Sequence, residues 1–267
     1  MILIPPDINY FGFLRLNIHY YSVCIFFAVI LSFFFAYYGC GRFFLSVDKN
    51  VLSDLTPSLI IYSIIGARLY YVLLSLDYFI SNPLAVFMIW QGGLSIHGAF
   101  LGGVIFGLLY MKKKKLKFFP YADIVSLVLP LGQAIGRWGN FFNQEAFGVP
   151  VNNSHIALYV KESLRPLQFK EYEYFHPCFL YESILDFLIF IILFFTAKKI
   201  SKKFDGVIFF LYILLYSIVR AVIEPFRLDT IFYIKNIPFP VIISVIGILT
   251  GITGILVRIK NGKESIF

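Results

Sequence analysis

What most constrains this chain is the spacing of its apolar runs. Seven of them, near 17–39, 55–75, 83–110, 119–137, 178–197, 205–224 and 237–257, approach bilayer-spanning length and are separated by short polar breaks. A membrane helix needs about 20 mainly apolar residues in succession. Soluble domains hold about 45–50% apolar and about 25% charged residues, so a chain that is 59% hydrophobic and 14% charged cannot hide its surface in water. The predicted fold class is an all-α integral membrane protein, a seven-transmembrane-helix bundle. The first run lacks a basic leader and carries the bulky FFFAYY stretch, so it reads as a retained span and not a cleavable signal.

The net charge of +8 is distributed as a membrane protein distributes it. If the N-terminus is outside, fourteen of the 23 Lys and Arg residues, the Lys112 to Lys117 cluster among them, fall on one side and six on the other. The richer side is cytoplasmic by the positive-inside rule, which predicts an N-out, C-in topology. The charge is then accounted for with no nucleic acid as partner. Residues 1–267 read as a single polytopic membrane domain. The long outer stretch 139–177, which holds His155, Lys161, Glu162, Arg165 and Lys170, is expected to form an extracytoplasmic cap or arm. Cys24, Cys40 and Cys178 have no metal-ligand spacing and read as small packing residues, so neither metal nor cofactor is expected.

Arg68, Arg137 and Arg220 lie within or at the ends of spans. A charge at the bilayer centre costs at least about 2.5 kcal/mol, so such groups face a bundle interior or an aqueous cavity. Four segments bring polar groups to similar depth, and the segment around Arg68 is a fifth candidate. Gln91-Gly-Gly-Leu-Ser-Ile-His97-Gly98 offers an imidazole suited to general-base work or to anchoring a helix, beside glycines where a helix can break. Gly136-Arg137-Trp-Gly-Asn140-Phe-Phe-Asn143-Gln-Glu145 puts Arg137 and Asn140 on one helical face, where guanidinium and carboxamide suit a phosphate; a snorkelling arginine with a capping asparagine fits the same residues. His176-Pro-Cys-Phe-Leu-Tyr181-Glu182 has the form of a helix start. Tyr216, Arg220, Glu224 and Arg227 recur on one helical stripe; an Arg220–Glu224 pair would leave Arg227 free for an anion. Arg68, within Gly-Ala-Arg-Leu-Tyr-Tyr, is expected to pair with an acid or join the site, and the first-span tyrosines Tyr20 and Tyr21 suit an interfacial belt.

Together these segments resemble the prolipoprotein diacylglyceryl transferases over about residues 10 to 260, in family order. The likeness is carried mainly by Gly136 to Gly148, which follows the family pattern G-R-x-G-N-F-x-N-x-E-x-x-G, with the other four segments in support. It departs where Ala99 follows Gly98, where Cys178 replaces a usual serine, and where Ser22 follows Tyr21. The resemblance implies a multi-pass enzyme of the bacterial inner membrane with its active site toward the outer leaflet. Its substrates would be phosphatidylglycerol, drawn from the membrane lipids, and a preprolipoprotein signal peptide carrying a lipobox cysteine. It implies that Arg137 and Arg220 hold phosphate and that His97 is a candidate for thiol activation. Asn140, Asn143, Glu145 and Tyr21 would orient substrate, and Glu224 would position Arg220. Arg68, His176, Tyr181, Glu182, Tyr216 and Arg227 would support them. A transporter for an anionic solute is the competing class, although no internal repeat accompanies it.

Overall fold

The computed structural model describes residues 2–6, 10–13, 16–151, 156–200, 203–229 and 232–264; Arg15, His155 and Lys202 of the charge analysis fall outside them. The protein is mostly helical. Among the described residues the α-helices are α1 (Tyr20–Gly39), α2 (Lys49–Leu74), α3 (Leu76–Ser81), α4 (Ile96–Lys113), α5 (Phe118–Asn143), α6 (Cys178–Ile200), α7 (Val207–Ile223) and α8 (Phe239–Glu264). Six helical segments are long and apolar enough to cross a membrane: Tyr20–Gly39, Lys49–Leu74, Phe118–Asn143, Cys178–Ile200, Val207–Phe226 and Phe239–Asn261. Their burial pattern is inverted relative to a soluble protein. Phe26, Leu73 and Leu249 are 60% exposed or more, while Asp123, Glu182, Asp186 and Glu224 are buried. Apolar side chains turned outward and carboxylates turned inward are what a lipid solvent selects.

The run expected at 83–110 is not one helix. It breaks into short 3-10 turns at Pro83–Phe87 and Ile89–Gln91, and the backbone then takes left-handed φ values at Gly92 and Gly93. Pro83 starts a new turn and the two glycines accept a conformation that side chains disfavour, so the apolar stretch cannot propagate a single helix. What remains is α4, whose 18 residues include His97 and end on Lys112 and Lys113; it is not among the six long apolar segments.

The chain forms two compact units, residues 45–121 and residues 1–44 with 122–267. In the first, α2 and α4 cross with their backbones in contact. A Cβ on Gly66 would lie 2.4 Å from the Gly98 carbonyl, and one on Gly98 would lie 2.4 Å from the Gly66 carbonyl, so only hydrogen at both positions allows the crossing.

Arg68 organises the broken stretch. No acid pairs with it among the described residues. Its guanidinium instead donates to the carbonyls of Ala85 (2.5 Å), Val86 (2.9 Å), Gly92 (2.7 Å) and Gly93 (2.9 Å), and it lies over the Phe79 ring. Irregular backbone in an apolar setting leaves carbonyls without helical donors, and one fork with five N–H groups satisfies several of them at once. Hydrogen bonds to a charged group contribute about 1.5–3 kcal/mol each. Arg68→Ala is therefore expected to destabilise the protein by about 3 kcal/mol or more, read as an earlier thermal unfolding in detergent, with Arg68→Lys recovering part of the loss. An unchanged transition in the alanine variant would contradict this role.

In the larger unit, α5 supplies the contacts that hold its neighbours. Asp123, buried, accepts hydrogen bonds from the Gly206 and Phe209 amides at 2.6 and 2.8 Å and so caps the start of α7 from another helix. Ser183 of α6 donates to the Ala134 carbonyl at 2.8 Å. Three small sheets complete the unit, and none had a legible sequence signature. β1 (Ile2–Leu3) pairs parallel with β4 (Ala157–Tyr159), which pairs antiparallel with β5 (Tyr174–Phe175). β2 (Tyr10–Phe13) with β3 (Leu16–His19), and β6 (Tyr233–Ile234) with β7 (Ile237–Pro238), form antiparallel pairs. Within the expected cap, Leu158, Val160 and Phe175 are fully buried with Phe179 of α6, and Phe141 of α5 packs on them. This apolar cluster anchors the stretch to the helix ends.

Candidate active site

The last turns of α5, the first turns of α6 and the end of α7 are drawn together by backbone. Gly148 donates to the His176 carbonyl at 2.9 Å, His176 donates to the Val149 carbonyl at 3.0 Å, and Val149 donates to the Phe226 carbonyl at 2.8 Å. These bonds lace the segment after α5 between the residue before α6 and the turn after α7, so polar groups from all three helices meet.

Their centre is Glu182, which is 2% exposed. Its Oε2 lies 2.9 Å from Arg137 Nε, an ion pair without a well-aimed hydrogen bond. Its Oε1 accepts from Arg227 Nη1 at 2.5 Å and from Arg220 Nη1 at 3.4 Å. Arg220 Nη2 also lies 2.7 Å from Glu224 Oε2, the i,i+4 pair expected from the sequence. Arg227 grips Asp229 through both Nε and Nη2.

Arg227 is thus not free for an outside anion, which corrects the expectation that an Arg220–Glu224 pair leaves it so. The helix ends at Ile223, because Pro225 brings no amide to continue it; a 3-10 turn follows at Glu224–Phe226, and Arg227 is extended. That turn swings Arg227 off the stripe of Tyr216 and Arg220 and onto Glu182. Its side chain is only 7% exposed, whereas those of Arg137 and Arg220 are 22% exposed. Burial alone would lower the pKa of Arg227, but hydrogen bonding to Asp229 and the charges of Glu182 and Asp229 outweigh it, so the net change is upward. For Asp229 burial acts upward and Arg227 acts downward, and Arg227 prevails, holding the carboxyl below its ordinary range.

Asn140 and Asn143 both donate to Glu145 Oε1, at 2.9 and 3.4 Å, across the turn that ends α5. Gln144 and Ala146 take positive φ there, which folds Glu145 back over the helix end. The ring of Tyr21 of α1 lies against the same helix: a Cβ at Gly139 would meet it at 2.5 Å, so the missing side chain is what admits the phenol. It is within electrostatic reach of Glu145 and Arg137. His176 Nδ1 lies 3.1 Å from the Tyr181 hydroxyl, and burial lowers the pKa of the imidazole, which favours its neutral form in that pair. Tyr216 stacks on Tyr212 at 5.7 Å, and the Tyr212 hydroxyl donates to Gln133 at 3.1 Å.

The larger unit therefore gathers Tyr21, Arg137, Asn140, Asn143, Glu145, His176, Tyr181, Glu182, Tyr216, Arg220, Glu224 and Arg227. His97 and Arg68 belong to the other unit. His97 sits exposed in the first turn of α4 with Tyr70 as its ring neighbour at 6.3 Å. Two acids beside this cluster carry no reading in the sequence analysis, and neither does Asp123 near the start of α5. Asp229 follows Arg227 by two residues, and Asp186 lies one turn beyond Glu182. An aspartate in the middle of the apolar run 178–197 was a sufficient signal for the second.

A polytopic helical membrane protein with guanidinium groups gathered on an interior carboxylate, two of them partly accessible, is the class defined by this fold and site. Such an arrangement can accept an anionic oxygen from a lipid or solute. The model of the prolipoprotein diacylglyceryl transferase family matches residues 9–257. The protein of Thermotoga maritima named phosphatidylglycerol–prolipoprotein diacylglyceryl transferase is 43% identical over 250 residues, covering 93% of this chain and 83% of its own. Proteins of the same name from Clostridium botulinum and Trichormus variabilis are 41% identical over 252 residues and 39% identical over 244. These alignments cover 94% and 90% of this chain and 96% and 85% of the relatives. The chain belongs to the prolipoprotein diacylglyceryl transferase family.

Proposed function

We propose that this protein transfers the sn-1,2-diacylglyceryl group of phosphatidylglycerol to the lipobox cysteine thiol of a preprolipoprotein. A sulfur–carbon bond forms at the glycerol carbon that carried the phosphate, the carbon–oxygen bond to phosphate breaks, and glycerol phosphate leaves with the added negative charge. The thiol proton passes to a base, for which His97 is the candidate. The observation that carries this reading is the pair of partly accessible guanidiniums, Arg137 and Arg220, held on Glu182 and Glu224. Arg137 uses Nε on Glu182 and has no further partner among the described residues, so its two terminal nitrogens are available as a fork for two phosphate oxygens. Glu182, Glu224 and Asp229 match the three guanidiniums in number, so binding rests on aligned donors in a low-dielectric layer and not on net charge.

In this reading Asn140, Asn143, Glu145 and Tyr21 orient lipid or peptide. α4 makes a seventh crossing at about 27 Å, from its 18 residues at about 1.5 Å each. The N-terminus lies outside and the C-terminus in the cytoplasm, so that the arginine layer meets the outer leaflet of the bacterial inner membrane beneath the 139–177 cap. The basic residues of Lys112 to Lys117, Lys198 and Lys199 support that orientation.

The test is transfer of labelled diacylglyceryl from phosphatidylglycerol to a lipobox peptide by the purified protein in detergent. A thioether product is expected, with His97→Gln slower by about 10²-fold or more. Absence of product from well-folded wild type would overturn the reading, and full activity of the glutamine variant would remove His97 as the base.

A further inference from the structure

Asp186 is 1% exposed, and neither of its carboxylate oxygens has a hydrogen-bond partner among the described residues. A buried carboxylate without partners is costly, and the mechanism above gives it nothing to do. Its surroundings supply a role. The contacts Glu182–Arg137 and Ser183–Ala134 set α5 and α6 antiparallel and in register. Helical side chains lean toward the N-terminus of their own helix. Arg137 therefore leans back along α5 toward Ala134, and Asp186 leans back along α6 toward Glu182, so the two converge. Arg137 is the cation that acts on Asp186, and Asp186 in turn acts on Tyr212 and Tyr216 of α7.

We infer that Asp186 is a positioning residue for Arg137, a second carboxylate that, with Glu182 on Nε, holds the guanidinium on the α6 side while its terminal nitrogens meet substrate phosphate. The inference rests on the transferase reading for its consequence in turnover. With one carboxylate, a guanidinium that turns toward phosphate can leave the wall altogether. With two, one turn apart, it stays between fixed anchors and keeps its fork aimed.

Asp186→Asn keeps the shape and removes the charge. It is expected to lower kcat by about ten- to a hundredfold, the scale of a misplaced positioning group, with KM for phosphatidylglycerol changed less than about twofold. Asp186→Glu should recover part of the loss. Because Asp186 acts through Arg137, adding Asp186→Asn to Arg137→Lys should cost much less than it does in the wild type. A wild-type kcat in Asp186→Asn, or losses that simply multiply in the double variant, would overturn the inference. The wild type, Asp186→Asn, Arg137→Lys and the double variant are also followed through thermal unfolding. Should the wild type make no thioether, the transferase reading falls, and the unfolding cycle alone decides the pair: additive shifts refute the Asp186–Arg137 contact, and non-additive shifts support it.

Discussion

Arg137→Ala is expected to lower kcat/KM by about 10²–10³-fold, the usual consequence of removing one donor aimed at developing charge. The loss is expected mainly in turnover, with a smaller fall in unfolding temperature. Glu182 would still hold Arg227 at 2.5 Å and Arg220 at 3.4 Å, whereas Asp186, buried without a hydrogen-bond partner among the described residues, would lose the guanidinium that acts on it. Arg137→Lys separates charge from geometry. Lysine keeps the positive charge but offers a single ammonium where arginine offers a planar fork, and its shorter reach cannot contact Glu182 and a phosphate together. It is therefore expected to recover only a small part of the alanine loss. The check is initial rates of thioether formation over a range of phosphatidylglycerol concentrations, with thermal unfolding measured alongside. Wild-type rates in the lysine variant would remove the bidentate clamp from the mechanism, and a collapse of folding in both variants would make Arg137 a structural residue.

The second large effect is expected at Glu182. This carboxylate collects three guanidiniums, and removing one partner of a buried ionic cluster typically costs about 3–5 kcal/mol because the others are left uncompensated. Glu182→Gln keeps the volume but substitutes an amide whose NH2 faces donors. We expect its unfolding transition to fall by about 10 °C, using about 2–4 °C per kcal/mol for a chain of this size, with Arg137 and Arg220 losing their alignment. Transfer should then fall even at temperatures where the variant remains folded. A Glu182→Gln variant with unchanged unfolding and unchanged transfer would show that the three arginines are held by other contacts.

This weight on Glu182 shows where local sequence reading stops. The Arg220–Glu224 pair was legible because its members are four residues apart on one helix and no tertiary information is needed to bring them together. The shared face of Arg137 and Asn140 was legible for the same reason, since α5 runs unbroken to Asn143. Glu182 meets Arg227 across 45 positions in the chain, and read locally it was only a favourable acid near a helix start. For Arg68 the sequence left open an acid as partner or a place in the site, because guanidinium groups in membranes need compensation. The compensation comes from carbonyls 17 to 25 residues away, exposed by a helix break whose glycines are visible in the sequence but whose loop path is set by tertiary contacts.

By itself the sequence determined that the chain is a polytopic helical membrane protein of the prolipoprotein diacylglyceryl transferase family, and which polar residues its apolar helices must carry. Apolar length and i,i+4 spacing are properties of the chain alone, and the signature from Gly136 to Gly148 is read residue by residue. Only the tertiary structure decided that Arg227 is buried in an ion pair while Arg137 and Arg220 remain partly open. It also decided that Asp186 is buried with no hydrogen-bond partner among the described residues and that the run at 83–110 is broken and bound by Arg68. The reason is physical: which charge meets which depends on the register between packed helices and on where a turn ends one. Those are set by contacts such as Ser183–Ala134 and Val149–Phe226, which join residues that are distant in the chain.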